Sequence, residues 1–481
     1  MSQVSSVSQL SDVQPTDWAF QALQSLVERY GCIAGYPDKT YRGNRSLTRY
    51  EFAAGLNACL DRINELIATG TANLTTKADL ATVQKLQEEF AAELATLRGR
   101  VDALEARTAR LETTQFSTTT KLAGEVIFGL TGTFGNEKAA SIRSNQSNPL
   151  NEAVIVSDRI RLRLNTSFTG QDLLRIRLQA ANTPNLVGDT GTNMARLGFD
   201  SPIGGNQVVI NQLYYRFPIS PSAKVTVLAS GALFDVVDTL NPLLGVDSTG
   251  SPFLFGIRSP IYREEIGGAG AGISYDFSSN FNLGLVYLSP TASQPASGLF
   301  NGSYSALAQL TWRPNDNVAL GLLYSRSRNG IEINAGSANA NNPFGNASDN
   351  VTANSYGLVG NVRISPNFAI GGWTGFVQAT AQDLPGDPDA NIFYYAVTLA
   401  FPDVGKKGNI GGIIFGQPPK VVRNEFGIKD PNSSFNIEAF YRFQINDYIG
   451  ITPGLLVIIN PEHNSSNDTL YIGTIRTTFT F

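Results

Sequence analysis

The chain has 481 residues, 42% hydrophobic and 16% charged, with 46 glycines, 27 phenylalanines, 17 tyrosines and a net charge of −4. That length implies two or more domains, and the slight acidity excludes a nucleic-acid binder, which needs a basic surface against phosphate. No apolar run reaches the roughly 18 residues that mark a membrane-spanning helix. The opening Met1-Ser2-Gln3-Val4 has neither a basic nor an apolar leader segment, so export implies a numbering that starts after a cleavage site. Cys32 and Cys59 are either one disulfide in an oxidising compartment or two small buried thiols.

Residues 10–63 read as two helices around a turn-rich connection. Trp18, Ala22, Leu23, Leu26 and Val27 share one stripe of a helix over Thr16 to Tyr30. Gly31, Gly35, Pro37 and Gly43 punctuate the connection. Thr48 and Glu51 form a capping box that opens a second helix, with Phe52, Leu56, Leu60 and Ile63 on its expected buried face. Ser11-Asp12-Val13, Trp18-Ala19-Phe20, Gly35-Tyr36-Pro37-Asp38 and Thr48-Arg49-Tyr50-Glu51 together resemble an S-layer homology (SLH) domain. The resemblance implies binding to peptidoglycan or its linked polysaccharide, with Asp12, Trp18, Tyr36, Asp38 and Arg49 as glycan-site residues. Tyr50 and Lys39 depart from the family pattern. The capping box occupies Thr48 and Glu51, which leaves Arg49 to meet an anionic glycan. Trp18 fits either a core position or sugar stacking. The family usually carries three tandem copies, and this chain holds one.

Residues 74–115 repeat in sevens. Leu80, Gln87, Leu94, Val101, Thr108 and Gln115 fall at a, and Val83, Phe90, Leu97, Leu104 and Leu111 at d, as in a coiled coil. The flanking pairs Glu93–Arg98, Arg100–Glu105 and Arg107–Glu112 are opposite in sign, as a parallel assembly requires. The rod would span about 54 Å. The alternative is one amphipathic helix lying on a globular surface. Three chains would bring three SLH copies together.

From Lys121 onward the period changes from helical to alternating. Sixteen candidate strands begin near Lys121, Ser157, Asp172, Val208, Ala223, Gly268, Phe281, Ser303, Asn317, Ala353, Asn367, Asn391, Gly408, Ser433, Asp447 and Thr469. Tight turns such as Ser278-Ser279-Asn280 and Pro314-Asn315-Asp316 alternate with loops near 135–156, 183–207, 232–267, 289–302, 327–352, 377–390, 417–432 and 459–468. Short connections on one end, long ones on the other and an even strand count define an all-β transmembrane barrel over 117–481. In the first hairpin Arg159, Arg161, Arg163, Arg175 and Arg177 alternate with aliphatic residues. Facing three of them to mid-bilayer lipid would cost on the order of 6–12 kcal/mol, so all five should line the lumen. Tyr214, Tyr287, Tyr448 and Tyr471 suit interfacial girdles.

The order of parts, SLH module, coiled coil and sixteen-strand barrel ending in Phe481, resembles the cyanobacterial SLH-porins, an OprB-like family also labelled iron-uptake porins. The terminal phenylalanine resembles the signal read by the outer-membrane assembly machinery. The resemblance implies a trimeric outer-membrane channel for small solutes, chiefly inorganic ions, with the SLH domain in the periplasm and contacts to outer-membrane lipid. The loop 232–267 comes after the fifth strand, where such porins fold a loop inward. Asp235 and Asp238 would then set a transverse field against the arginines, and Asp247, Arg258, Arg263, Glu264 and Glu265 share the loop. Nothing has the spacing of a zinc, iron–sulfur or other cofactor site. The only histidine, His463, falls in a polar loop with no nucleophile beside it. Two functions remain open: a transport channel tied to the wall, or a structural tether whose barrel is narrow or plugged.

Overall fold

The computed structural model describes residues 4–33, 35–70, 77–114, 119–143, 148–201, 204–264, 268–331 and 334–481. The chain divides into two compact units, Met1–Gln115 and Phe116–Phe481.

In the first unit Val4, Val7, Leu10, Leu23 and Val27 form a small buried core on which Val13, Phe20, Ile33 and Tyr41 pack. Two of these precede residue 10, because the turn Val7–Gln9 contributes to that core. The first helix is shorter than expected. It is α-helical only over Phe20–Gln24 (α1) and then widens into a π-turn over Ser25–Arg29. Its predicted stripe therefore does not hold at the start, and Trp18 is 90% exposed, which removes the core reading. Cys32 and Cys59 are joined, with Cα atoms 4.5 Å apart, and tie the connection to helix α2 (Arg49–Gly70). The capping box forms as expected. Thr48 N donates to Glu51 Oε2 at 2.9 Å, and Glu51 N donates to Thr48 Oγ1 at 3.2 Å.

The predicted buried face of α2 is open instead, with Phe52, Leu56 and Leu60 exposed. Helix α3 (Lys77–Thr114) runs without a break, and Leu80, Phe90, Leu94, Leu97 and Leu104 on its a/d stripe are exposed too. The side chains of Arg107, Thr108, Leu111 and Glu112, and all of Gln115 and Glu265, lie outside the described residues. No helix among the described residues is long and apolar enough to cross a membrane.

The second unit is a closed barrel of sixteen antiparallel strands. They are β1 (Thr120–Phe134), β2 (Ile155–Thr166), β3 (Leu173–Ala181), β4 (Val209–Ser220), β5 (Ala223–Gly231), β6 (Gly268–Asp276), β7 (Phe281–Ser289) and β8 (Tyr304–Asn315). The second half comprises β9 (Val318–Arg328), β10 (Val351–Ser365), β11 (Phe368–Ala381), β12 (Asp389–Pro402), β13 (Ile410–Asn424), β14 (Phe435–Gln444), β15 (Ile449–Ile459) and β16 (Leu470–Thr480). Closure sets Glu125 of β1 opposite Thr480 and Phe134 opposite Tyr471 of β16. β11 and β13 outrun their predicted ends, so the loops after them shrink to 382–388 and 425–434. β13 continues through Pro418-Pro419 because its pairing with β14 stops at Gly416. Prolines on that unpaired edge cost no ladder hydrogen bond.

Alternation sorts the two faces. Ile160, Leu322, Phe376 and Val397 are exposed on the outside, while Ser305, Gln309, Ser325 and Arg476 are buried inside. Tyr214 is a correction to the girdle. The β3–β4 register shifts at Arg177/Leu178, which turns this ring inward and buries it. The guanidiniums of Arg175 and Arg216 lie over it at 5.7 and 5.3 Å.

The long loops pack inward as well. Leu186, Met194, Leu197 and Phe199 of loop 182–208 share a core with Ile127, Leu456, Ile458 and Ile472 of the wall. His463 is buried rather than set in an open polar loop. Its Nδ1 accepts from Ser434 N at 2.8 Å, so Nε2 carries the proton and donates to Pro419 O at 2.9 Å. Burial holds its pKa down to about 3. Unfolded imidazole protonates near 6.5, so stability present at neutral pH is lost as pH falls through that window toward about 3. Neighbouring Glu462, raised to about 7 by burial, acts in the opposite sense. The difference between wild type and His463→Gln therefore isolates the imidazole. Protease nicking of loops 425–434 and 460–469 should rise more steeply on acidification in wild type than in the variant. Identical pH profiles would contradict this assignment.

Candidate functional site: a loop clasped inside the barrel

The loop segment 232–264 crosses the lumen, and each contact reflects its composition. Leu233, Leu240, Leu244, Phe255, Ile261 and Tyr262 are buried among Val286, Leu307, Leu323 and Trp373, side chains that point inward from β7, β8, β9 and β11. Phe253 bridges Leu197 of loop 182–208, and the loop's remaining carbonyls must still be satisfied. Arg476 of β16 supplies the donors. Its Nη1 reaches Asp247 O at 2.9 Å and Ser251 O at 3.2 Å, and its Nη2 reaches Gly250 O at 2.7 Å. Thr478 Oγ1 donates to Ser248 O at 2.8 Å, and Ser251 Oγ donates to Glu438 of β14. On another wall Tyr262 OH donates to Gln309 Oε1 at 2.8 Å, and Glu264 accepts from Ser325 Oγ at 2.5 Å. Wall residues from both sides of the barrel thus hold one loop.

The charged face lies on β1 to β4. Glu125 of β1 sits opposite Arg161 in the β1–β2 register. It accepts from Arg159 Nη2 at 2.8 Å and Arg163 Nη2 at 3.2 Å. Asp247 of the loop completes the cluster, with Oδ2 at 2.5 Å from Arg161 Nη1 and 3.3 Å from Arg159 Nη1. Arg161 Nε also donates to Gln179 Oε1 at 2.6 Å. Arg175 and Arg177 are held by amides, Nε to Asn165 Oδ1 at 2.8 Å and Nε to Asn211 Oδ1 at 2.7 Å. Arg216 of β4 donates to Thr226 Oγ1 at 3.1 Å and to the carbonyl of Asp235. Arg258 of the loop lies 3.8 Å over the Phe234 ring.

The five predicted arginines do point inward, but not into one common environment. Arg159 is 1% exposed and Glu125 2%, so this pair is sealed under the loop and anchors it. Arg163, Arg175, Arg177 and Arg216 stay half-buried. Asp235 faces this wall, taking a hydrogen bond from Gln212. Asp238 does not. It is exposed and pairs with Arg313 of β8 at 2.6 Å. The carboxylate that meets the arginines is Asp247. Glu125 is absent from the predicted pore residues, although it is the one acid on the inward parity of β1.

In the first unit Asp12 accepts the N–H groups of Tyr41 at 2.6 Å and Arg42 at 2.5 Å. Asp38 accepts from Thr40 Oγ1 at 2.6 Å and Arg42 Nη2 at 2.6 Å, and these bonds hold its pKa down to about 2. The Arg42 guanidinium lies 4.5 Å over the Tyr36 ring. Asp12, Asp38 and Tyr36 are therefore engaged in shaping their loop. Arg49 and Trp18 remain exposed, Arg49 meeting Glu105 at 3.5 Å.

A closed sixteen-strand barrel with an apolar exterior and a loop folded across a charged lumen is an outer-membrane porin. Residues 77–481 match the carbohydrate-selective porin, OprB family, and residues 9–53 match the S-layer homology domain. The chain belongs to the OprB porin family and carries an N-terminal SLH domain. An uncharacterised protein of Nostoc sp. is 46% identical over 516 residues, spanning all of this chain and 86% of that one. A Synechocystis sp. protein is 43% identical, spanning all of this chain and 92% of the other. Outer membrane protein SlpA of Thermus thermophilus is 41% identical over 103 residues, 21% of this chain and 11% of that protein. Pseudomonas putida OprB shares the fold at a TM-score of 0.56 and 12% identity, over 79% of this chain and 97% of that structure.

Glu125→Gln removes the buried partner of Arg159. Breaking such a pair costs about 3–5 kcal/mol, which should appear as a lower temperature for heat-induced unfolding on gels. An unchanged transition would show that the buried pair does not hold the loop.

Proposed function

We propose that the protein is a passive outer-membrane channel for small hydrophilic solutes, biased toward anions and sugars, tied to the cell wall and assembled as a homotrimer. The carrying observation is the charge balance inside the barrel. On this wall, among the described residues, Arg159, Arg161, Arg163, Arg175, Arg177, Arg216 and Arg258 lie with the carboxylates Glu125, Asp235 and Asp247, and two of those carboxylates are consumed in ion pairs. An excess of guanidinium in a confined, low-dielectric bore attracts anions. The same planar donors suit sugar hydroxyls, in keeping with the family's description. Inorganic ions would pass by diffusion without a ligated site, and iron would cross as an anionic chelate rather than a bare cation.

Arg49 and Trp18 are the proposed glycan contacts, one for a carboxylate or phosphate of the wall polymer and one for a sugar face. The open stripes of α2 and α3 support self-association, since apolar a/d residues along such a length need partners. A second reading is a tether with a plugged barrel. The sealing of Arg159 and Glu125 beneath the loop favours it.

Purified protein in planar bilayers separates the two. Open current steps are expected, and silence would favour the plugged tether. In parallel, wild-type protein should sediment with isolated cell wall and show the mass of three chains, while Arg49→Gln with Trp18→Ala should weaken sedimentation by roughly tenfold. Undiminished sedimentation would remove Arg49 and Trp18 from the glycan site, and a monomer mass would remove the trimer.

A further inference from the structure

The outer surface of β6 to β13 carries a pattern that channel and tether do not use. Ser325 of β9 points inward to Glu264 of the clasped loop. Tyr324 and Arg326, on either side of it, therefore point outward. Register extends each into a row. Tyr324 lies opposite Tyr356, Tyr356 opposite Phe376, and Phe376 opposite Phe393. One step nearer the long loops, Arg326 lies opposite Asn354, Asn354 opposite Gln378, Gln378 opposite Asn391, and Asn391 opposite Arg423. An aromatic row bordered by a polar row is the signature of a membrane boundary.

Beside Arg326 this surface is hollow. Small Ala271, Ala306 and Ala308 floor a groove of about 560 Å³ between Leu285, Tyr287 and Tyr324, and Arg326 stands at its polar end. Arg326 Nη1 donates to Asn354 Oδ1 at 3.1 Å, and Arg328 Nε donates to Asn350 Oδ1 at 2.9 Å. Neither arginine is paired with a carboxylate among the described residues. The belt's acids lie further round, where Asp389 meets Gln378 and Glu425 meets Arg423.

We propose that this groove binds a phosphate-bearing lipid of the outer leaflet, an acyl chain on the alanine floor and the phosphate between Arg326 and Arg328. Charge complementarity favours a lipid over a second copy of the chain. Subunits meeting here would have to offer carboxylates to two arginines. The outward carboxylates of the described strands, Asp158 and Asp389, are already hydrogen-bonded to Asn206 and to Gln378 and Thr380.

Native mass spectrometry of the full-length protein in detergent tests this, with phosphatidylglycerol and phosphatidylcholine of identical chains as probes. Phosphatidylglycerol should be retained in preference, and Arg326→Gln and Arg328→Gln should each weaken it roughly fivefold. Arg326→Lys should preserve retention, and Ala308→Leu, which fills the floor, should reduce it while heat-modifiable gel mobility stays normal. Equal retention of both lipids, or no loss in the glutamine variants, would overturn the proposal. So would a fall in oligomer mass in those variants, which would assign the patch to a subunit contact.

Discussion

Two carboxylates and two guanidiniums decide where the loop segment 232–264 lies. Arg159 is almost wholly sealed from water, and a buried guanidinium is tolerated only when ion-paired or hydrogen-bonded. Glu125 supplies one carboxylate from the wall at 2.8 Å, and Asp247 supplies the other from the loop at 3.3 Å while holding Arg161 at 2.5 Å. Withdrawing the loop would leave Arg159 and Arg161 with Glu125 alone. On the same side of the bore, on β16 next to β1, Arg476 gathers three loop carbonyls. The apolar residues of the loop then bury against inward hydrophobes of β7 to β11, so the barrel is packed on both of its faces, by lipid outside and by its own loop within.

That arrangement divides the interior into two kinds of charge. Arg159 and Glu125 are structural, consumed in fixing the loop. Arg163 shares Glu125, whereas Arg175, Arg177 and Arg216 keep part of their surface and are restrained mainly by neutral amides and hydroxyls, so their positive charge is not cancelled by an ion pair among the described residues. In the proposed channel, such a guanidinium array on one wall, with a loop opposite, would set a transverse field whose sign favours anions. The stacking of Arg175 and Arg216 over Tyr214 holds the array's geometry.

Much of the fold is written in alternation. Lipid and water sit on opposite faces of one strand, so every second residue must declare its side, and the arginine hairpin can be placed without any partner. Turn chemistry marks the ends of most strands, and the contrast of short and long connections closes the barrel. The hidden features depend on contacts distant in sequence or on register. A bulge at Arg177/Leu178 reverses Tyr214. Pro418-Pro419 looks like a strand end, and only the missing β14 neighbour shows why they are tolerated. Asp235, Asp238 and Asp247 carry the same charge on one loop, and nothing local distinguishes the one that meets Arg161 from the one that meets Arg313. In the first unit an apolar stripe on α2 reads as buried, and the stripe itself does not say whether its cover comes from this chain.

The sign of the field inside the bore is the point on which the functional account turns. Reversal potential of the full-length protein under a KCl gradient measures it directly. The account predicts chloride preference, reduced when Arg175 and Arg177 are both changed to glutamine. Potassium preference in wild type, or a reversal potential indifferent to those arginines, would contradict it.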